Sequence, residues 1–175
     1  MQNMLLAGFG GQGVLFMGKI IAYAGLIEDK CVSWLPSYGP EMRGGTANCS
    51  VCISDQPIGS PLVLNPDVLV AMNLPSYEKF INKVVPGGIA VIDSALVHKK
   101  CERTDISCYY VPATTLADSE GLKGLANILL LGKVLQESKF ASFETVEQAI
   151  MKCVPAKKQH LAEPNMRAIK LGMSL

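Results

Sequence analysis

Short apolar runs alternate with longer segments of helical periodicity along this chain. Residues 3–9 and 67–72 are continuous apolar runs, typical of parallel strands that are buried on both faces. The alternation favours an α/β fold with three layers, α/β/α, in which helices cover both faces of a mostly parallel, mixed sheet. We predict strands at 3–9, 31–35, 46–54, 67–72, 89–92 and 106–111, and helices at 14–26, 77–85, 124–137, 143–154 and 157–172.

Three details of the pattern give sharper expectations. Pro36 is expected to end the strand at 31–35, because a proline cannot continue the ladder of a central strand. Residues 46–54 alternate apolar and polar side chains, which predicts a half-exposed strand. Pro164 lacks the backbone N–H that a helix interior needs, so it is expected to kink or divide the helix at 157–172.

Composition narrows the class of protein. The 175 residues include 16 basic and 15 acidic side chains, and this net charge of +1 argues against a nucleic-acid partner bound through a global positive field. The length favours a single domain over residues 1–175. The chain is too apolar for disorder, and its apolar runs are too often interrupted to span a membrane. Its apolar start lacks a cationic leader, so we expect a cytoplasmic protein.

A glycine-rich turn follows the first predicted strand and opens the first predicted helix, with the spacing G-x-G-x-x-G. Glycines allow unusual backbone angles and the close approach of a ligand. The N-terminus of the helix offers free N–H groups and a partial positive charge to an anion. The turn is therefore a candidate site for a phosphate-bearing ligand, formed by Gly8, Gly10, Gly11, Gln12 and Gly13.

Two nucleotide-binding motifs are incomplete at this turn. A dinucleotide fingerprint needs an acidic residue at the end of the second strand, where Pro36, Ser37 and Tyr38 stand instead. The Gly-Lys-Ser/Thr of a P-loop does not follow at the required offset. An NAD or FAD site is therefore disfavoured, and the alternative is that the glycines serve only close packing of the helix on the strand.

Residues 37–46 form a second candidate, after the carboxyl end of a strand, where ligands meet open α/β sheets. Tyr38 offers an aromatic face, and the guanidinium of Arg43 can clamp a phosphate or carboxylate with two hydrogen bonds. The alternative is that Arg43 pairs with Glu41 and braces the loop. The candidate ligand or interface residues here are Ser37, Tyr38, Gly39, Pro40, Glu41, Arg43, Gly44 and Gly45.

Other residues with reactive or polar side chains favour structural roles. Cys49 and Cys52 match C-x-x-C, but residues three apart in a strand point to opposite faces, so neither a disulfide nor a metal site is expected. No nucleophile motif is present, and we predict no catalytic residue. Asn73 and Asp93 are expected to cap strand ends. Asn127 lies in an apolar helix and needs partners if it is buried, so it orients a neighbouring loop or lies under another subunit.

Five segments carry a resemblance to a known family. Residues 6–14, 37–45 and 53–61 are similar to the gamma subunit of 2-oxoacid:ferredoxin oxidoreductases. The 2-oxoglutarate branch is nearest, and the branched-chain and pyruvate enzymes are close behind. The resemblance continues through 127–132 and 165–172, so it covers nearly the whole chain. The segment 37–45 is its most specific part.

The resemblance implies one part of a larger enzyme. In that family the assembly oxidatively decarboxylates a 2-oxoacid with coenzyme A, giving an acyl-CoA, carbon dioxide and reduced ferredoxin. Thiamine diphosphate and magnesium are expected on alpha and beta subunits, and iron–sulfur clusters on beta or delta subunits, with no cofactor bound by this chain alone. By this resemblance, residues 10–13 and Arg43 receive anionic groups of coenzyme A, or hold residues 37–46 against the catalytic subunits.

Two other functions fit the same residues. A stand-alone, Rossmann-like regulatory module would have the same glycine turn and would bind a nucleotide without catalytic partners. The related indolepyruvate enzyme has a smaller subunit with a similar module. The sequence does not identify the 2-oxoacid, because no residue is assigned to the acyl group.

Overall fold

The computed structural model describes residues 1–38 and 46–175. Six strands of these residues form one mixed sheet in the order β2-β3-β1-β4-β5-β6. The strands are β1 (Gln2–Phe9), β2 (Cys31–Tyr38), β3 (Thr46–Ser54), β4 (Val68–Ala71), β5 (Ile89–Asp93) and β6 (Ser107–Val111). The α-helices are α1 (Val14–Ile27), α2 (Leu74–Phe80), α3 (Ala113–Ser119), α4 (Ala126–Ser138), α5 (Phe143–Cys153) and α6 (Ala162–Met173). The predicted α/β fold with a mixed sheet is confirmed.

The strand directions bring two chain segments to one edge of the sheet. Strands β1, β4, β5 and β6 are parallel, whereas β3 is antiparallel to both β1 and β2. Strand β2 therefore runs in the same direction as β1, although β3 separates them. Gly8 and Tyr38 both pair with Ala47. The carboxyl ends of β1 and β2 consequently lie at the same edge.

Helices cover the two faces of the sheet unequally. On one face α1 lies over β1, β2 and β3, α4 lies over β4 and β5, and α5 and α6 pack on the outside of α1 and α4. On the other face α2 and connecting segments cover a smaller core that contains Leu5 and Tyr77. The neighbouring Leu6 belongs to the larger core. Successive residues of β1 thus alternate between two buried cores, as expected for a strand covered on both sides.

Helix α1 lies close to the sheet because it carries glycine at two contact points. A Cβ atom added to Gly18 would lie 2.5 Å from Cys49 Sγ and 3.0 Å from Trp34 Nε1. A Cβ atom added to Gly25 would lie 2.7 Å from Val32 Cγ2. The two glycines are seven residues apart, which places them on the same side of the helix. Because both glycines face the sheet, α1 packs closely against β2 and β3.

Strand β3 is buried on both faces, so the prediction of a half-exposed strand was wrong. Helix α1 covers one face, and the connection from β3 to β4 crosses the other. There the Val63 N–H donates to Ser50 Oγ (3.1 Å), and the Cys52 thiol donates to the Ser60 carbonyl (3.9 Å). The polar positions of β3 are therefore satisfied by this connection rather than by solvent.

Two predicted boundaries also moved. Strand β2 continues through Pro36 to Tyr38, because an edge strand needs backbone hydrogen bonds along only one side and tolerates proline. The predicted last helix is divided, as expected, into a 3₁₀ segment (Ala156–Leu161) and α6. Pro164 lies in the first turn of α6, where its missing N–H breaks no intrahelical bond. The short helix α3 was not predicted.

Candidate functional site

The glycine turn joins β1 to α1 at the carboxyl edge of the sheet. Gly11 and Gly13 have φ angles of +94° and +77°, a region that other residues rarely adopt. Gly13 is the N-cap of α1, and its carbonyl accepts the Met17 N–H (3.0 Å). Within the described part of the chain no side chain caps this end, and the first turn of α1 contains no acidic residue. The N-terminus of α1 therefore keeps its partial positive charge.

Gln12 holds the turn together from inside. Its Oε1 accepts the Phe9 N–H (2.6 Å), and its Nε2 donates to the Met72 carbonyl at the end of β4 (3.2 Å). Asn73 Nδ2 makes a longer contact with the same Oε1 (3.4 Å). A Cβ atom on Gly8 would lie 2.6 Å from Gln12 Oε1, so Gly8 makes room for this amide. The alternative function of the glycines, close packing, is thus observed at Gly8.

The glycine turn lies between two neighbouring strands, β1 and β4, whose following helices cover opposite faces of the sheet. After β1 the chain continues into α1 on one face, and after β4 it continues into α2 on the other. Open α/β sheets bind ligands in the crevice between two such strands. Here the Gln12 amide spans that crevice and leaves a cleft of about 230 Å³ beside it, lined in part by Gly11, Leu96, Thr114 and Asp118. Its described lining includes no basic side chain, so a phosphate bound there would need a cation from elsewhere.

Asn127 fixes the turn from the helical layer. This α4 residue is buried, and its Nδ2 donates to the Gly13 carbonyl (3.0 Å). A Cβ atom on Gly13 would lie 2.9 Å from Asn127 Cγ, so only glycine leaves space for this amide. Asn127 Oδ1 is buried without a hydrogen-bond partner among the described residues. Of the two roles considered for Asn127, the orientation of a neighbouring loop is confirmed.

The strand order of the sheet is incompatible with the geometry of a dinucleotide site. In a Rossmann unit the second strand contributes an acidic side chain close to the glycine turn. Here β3 lies between β1 and β2, so the ends of β1 and β2 are about 10 Å apart, two strand spacings. The end of β2 carries no acidic residue, as the sequence showed.

The second candidate segment starts and ends at the same edge as the glycine turn. Ser37 is exposed near the end of β2, and Thr46, at the start of β3, pairs with Phe9. The backbone of Tyr38 pairs with Ala47. The other predicted site residues of this segment lie outside the described residues: Gly39, Pro40, Glu41, Arg43, Gly44 and Gly45. The register thus places both ends of the segment beside the first candidate.

The C-x-x-C cysteines point to opposite faces, as predicted. The Cys49 thiol faces α1 and donates to the Val14 carbonyl (3.6 Å), whereas Cys52 belongs to the core on the other face. Burial raises the pKa of the Cys49 thiol to about 12, so it stays protonated and serves as a donor to the first turn of α1. Within residues 1–38 and 46–175, no three potential metal ligands come together.

Both predicted strand-end caps are confirmed. Asn73 Oδ1 accepts the Ser76 N–H (2.8 Å) and caps α2. Asp93 is fully buried, and its carboxylate accepts the Thr114 hydroxyl (2.6 Å) and the Ala95 N–H (3.1 Å). These polar groups therefore tie the strand ends to the helices and connections that follow them.

Comparison with known proteins assigns the chain to a family. The pyruvate ferredoxin/flavodoxin oxidoreductase family matches residues 3–175. The chain belongs to this family. Its glycine turn, both ends of the 37–46 segment and α4 with Asn127 all lie inside the matched region.

The relatives of this chain are named as subunits of 2-oxoacid oxidoreductases. The chain is 37% identical to the 2-oxoglutarate synthase subunit KorC of Methanocaldococcus jannaschii, over 98% of this chain and 91% of that protein. It is 39% identical to the ketoisovalerate oxidoreductase subunit VorA of Methanothermobacter thermautotrophicus, over 95% of this chain. The match spans only 35% of VorA, about a third of its length.

A solved structure shows the same fold. The gamma subunit of a keto/oxoacid ferredoxin oxidoreductase from Geobacter sulfurreducens superposes with a TM-score of 0.85 at 29% identity, covering 99% of this chain and 97% of that one. The resemblance inferred from sequence motifs is therefore confirmed, and the chain corresponds to a gamma subunit. None of the helices in the described part of the chain is both long enough and apolar enough to cross a membrane.

Proposed function

We propose that this chain is the gamma subunit of a 2-oxoacid:ferredoxin oxidoreductase and that it supports CoA-dependent oxidative decarboxylation on partner subunits. The observation that carries the proposal is the match to gamma subunits over the whole chain, together with the convergence of both candidate segments at one sheet edge. Its partners would be the alpha and beta subunits, with a delta subunit in some assemblies and ferredoxin as electron acceptor.

The reacting groups belong to the partners in this proposal. Thiamine diphosphate, magnesium and iron–sulfur clusters would supply decarboxylation and electron transfer there. The described residues of this chain contribute positioning instead: Gln12 and Asn127 fix the turn, and the first turn of α1 presents N–H groups that no described side chain caps. These groups suit an anionic group of coenzyme A, and closing the edge against a partner would exclude water from it.

A cation is needed to complete such an anion site. The cleft beside Gly11 has an acidic residue, Asp118, and no basic side chain in its described lining. Arg43 belongs to the segment whose two ends lie at this edge. Arg43 would supply the missing guanidinium, or a partner subunit would. In the second arrangement the site is incomplete in the isolated chain.

Among the 2-oxoacids, we propose 2-oxoglutarate. The relative matched along nearly its full length is named as a 2-oxoglutarate synthase subunit, whereas the ketoisovalerate relative matches over only about a third of its length. The assembled complex should turn over 2-oxoglutarate faster than pyruvate, 2-oxoisovalerate or indolepyruvate. A preference for one of the other three acids would overturn the substrate assignment and leave the subunit assignment intact.

The positioning role is tested by Arg43→Ala in the reconstituted complex. Loss of a charge-assisted hydrogen bond to a phosphate should raise the apparent KM for coenzyme A about tenfold and change kcat little. Arg167→Ala is the matched control, because Arg167 is exposed on α6. Unchanged kinetics and unchanged assembly would reject the role of Arg43. Saturable nucleotide binding by the isolated chain, without association with thiamine-bearing subunits, would favour a stand-alone regulator.

A further inference from the structure

Two cysteines come together where the connection from β5 to β6 folds back over the sheet. Cys108 lies on β6, and Cys101 lies in residues 94–106, which connect the two strands. Both side chains pack against the smaller core, and both are partly exposed. All six cysteines of the chain are free thiols, and the other four are one exposed and three buried residues: Cys31, Cys49, Cys52 and Cys153. The proposed anion site uses neither Cys101 nor Cys108.

Hydrogen bonds fix the connection over β6. The Cys101 N–H donates to the hydroxyl oxygen of Tyr110 (2.7 Å). Tyr110 comes two residues after Cys108 in the strand, so the two side chains lie on the same face of β6. Arg103 anchors the connection a second time, because its Nη1 donates to two backbone carbonyls in residues 81–84 (3.1 and 2.7 Å). Cys101 is thereby held over the face of β6 that carries Cys108.

The two cysteine side chains are in direct contact. Burial, followed by a side-chain hydrogen bond with Cys101, raises the pKa of the Cys108 thiol to about 11. Burial also raises the pKa of the Tyr77 hydroxyl, and Cys101 adds to that effect through its charge and a side-chain hydrogen bond. The Cys101 sulfur therefore lies against both the Cys108 thiol and the Tyr77 hydroxyl.

Cys101 opens onto a charged cleft of about 410 Å³, which is the size of a small-molecule site. The lining of this cleft combines three basic and two acidic side chains: Lys99, Lys100, Arg103, Glu78 and Glu102. Charges of both signs suit a zwitterionic ligand that carries carboxylate and amino groups. Cys108 is not part of the described lining, so a molecule in the cleft meets Cys101 first.

We propose that Cys101 and Cys108 form a reversible disulfide by exchange with a zwitterionic, low-molecular-weight disulfide bound in this cleft. Cys101 attacks as a thiolate at one sulfur of the small disulfide, whose S–S bond breaks and releases one small thiol. Cys108 then loses its proton to solvent and attacks Cys101 Sγ in the mixed disulfide, which releases the second small thiol. Both protein thiols are oxidised and the small disulfide is reduced. The two protons lost by the cysteines are balanced by those on the two small thiols.

The test incubates the reduced full chain with oxidised glutathione, blocks the remaining thiols with N-ethylmaleimide and identifies the products by mass spectrometry after trypsin. Trypsin cleaves after Arg103, between the two cysteines, so their disulfide links residues 101–103 to residues 104–123. We expect this linked pair, without glutathione, and its reversal by dithiothreitol. Cys31 is the internal control: it is exposed and pairs with Ser54 rather than with a cysteine, so it should keep glutathione as a mixed disulfide.

Two serine variants establish the order of attack. Cys108→Ser should retain glutathione on Cys101, because the thiol that resolves the mixed disulfide is absent. In Cys101→Ser, glutathione should reach Cys108 about tenfold more slowly than it reaches Cys101 in Cys108→Ser, because Cys108 does not line the cleft. Equal rates would overturn the assignment of Cys101 as the attacking thiol. Circular dichroism confirms that both variants are folded.

The same reaction in urea measures what the fold contributes. The ratio of linked peptides to glutathione-bearing Cys101 should fall about tenfold in urea, because the connection no longer holds Cys101 beside β6. An equal ratio in the folded and unfolded chain would overturn the proposal. So would a folded wild type that keeps glutathione on Cys101, or one in which only Cys31 reacts. These outcomes leave the proposed function untouched, since the cleft and both cysteines belong to this chain alone.

Discussion

The glycine turn and residues 56–66, which connect β3 to β4, lie at opposite ends of β1 and use their side chains in opposite ways. In the turn, Gln12 is directed inward, and Gly8 and Gly13 give up a side chain to make room for buried amides. In the connection, Val63 is the inward anchor and two leucines face solvent. A turn braced from within can present backbone groups to a small anion, whereas the β3–β4 connection is anchored by one buried side chain and leaves its two neighbours exposed.

The largest expected effect comes from Gly13→Ala. Alanine at a φ of +77° costs about 1–2 kcal/mol, and its Cβ would collide with the Asn127 amide, so the total loss should be about 3 kcal/mol of unfolding free energy. Gly11→Ala is the matched control: its φ is also positive, but no atom of residues 1–38 and 46–175 lies within 4 Å of the added Cβ. We expect a loss of about 1 kcal/mol there.

Urea denaturation of the two glycine variants measures this difference directly. Equal losses at both positions would mean that the backbone angle alone, and not the contact with Asn127, requires glycine at position 13. The turn would then be less tightly braced than the structure indicates.

An intermediate effect is expected from Gln12→Ala. The change removes the bonds to Phe9 and Met72 and leaves the Phe9 N–H without its partner, so the unfolding free energy should fall by about 1–3 kcal/mol. Gln56→Ala, at an exposed position between β3 and β4, should change the unfolding free energy by less than about 0.5 kcal/mol. Thermal and chemical unfolding of both variants check the contrast, and similar losses would contradict it.

The smallest effect on the isolated chain is expected from Leu62→Glu/Leu64→Glu. Because these side chains are exposed, the unfolding free energy should stay within about 0.5 kcal/mol of wild type. A loss of several kcal/mol would show that the two leucines stabilise the fold of the chain itself. The contrast between the glycine turn and residues 56–66 would then disappear.

The sequence predicted the strands and helices whose apolar pattern depends on local periodicity. It placed β1, α1, α4 and α5 within a few residues of their observed limits. It did not predict the burial of β3, because Ser50 and Cys52 make their contacts with the connection that follows the strand, and alternation along the strand does not reveal such contacts. Helix α3 was missed because seven residues are too few for a helical period to be recognised.

In the candidate site, too, the local sequence pattern predicted some features, whereas others depend on contacts between distant residues. The spacing of the glycines identified the turn, and the expected contact of Asn127 with a neighbouring loop was confirmed. The bridging role of Gln12 was not predicted, because its partner Met72 is sixty residues away and becomes a neighbour only through the pairing of β1 with β4.

The paired glycines of α1 restrict how this fold can change in length. Gly18 and Gly25 meet the sheet on the same side of the helix. Inserting one residue between them would rotate the following half of the helix by about 100° and bring Ala24 into the space of Gly25, against Val32. Insertions and deletions among homologues should therefore accumulate outside this seven-residue interval.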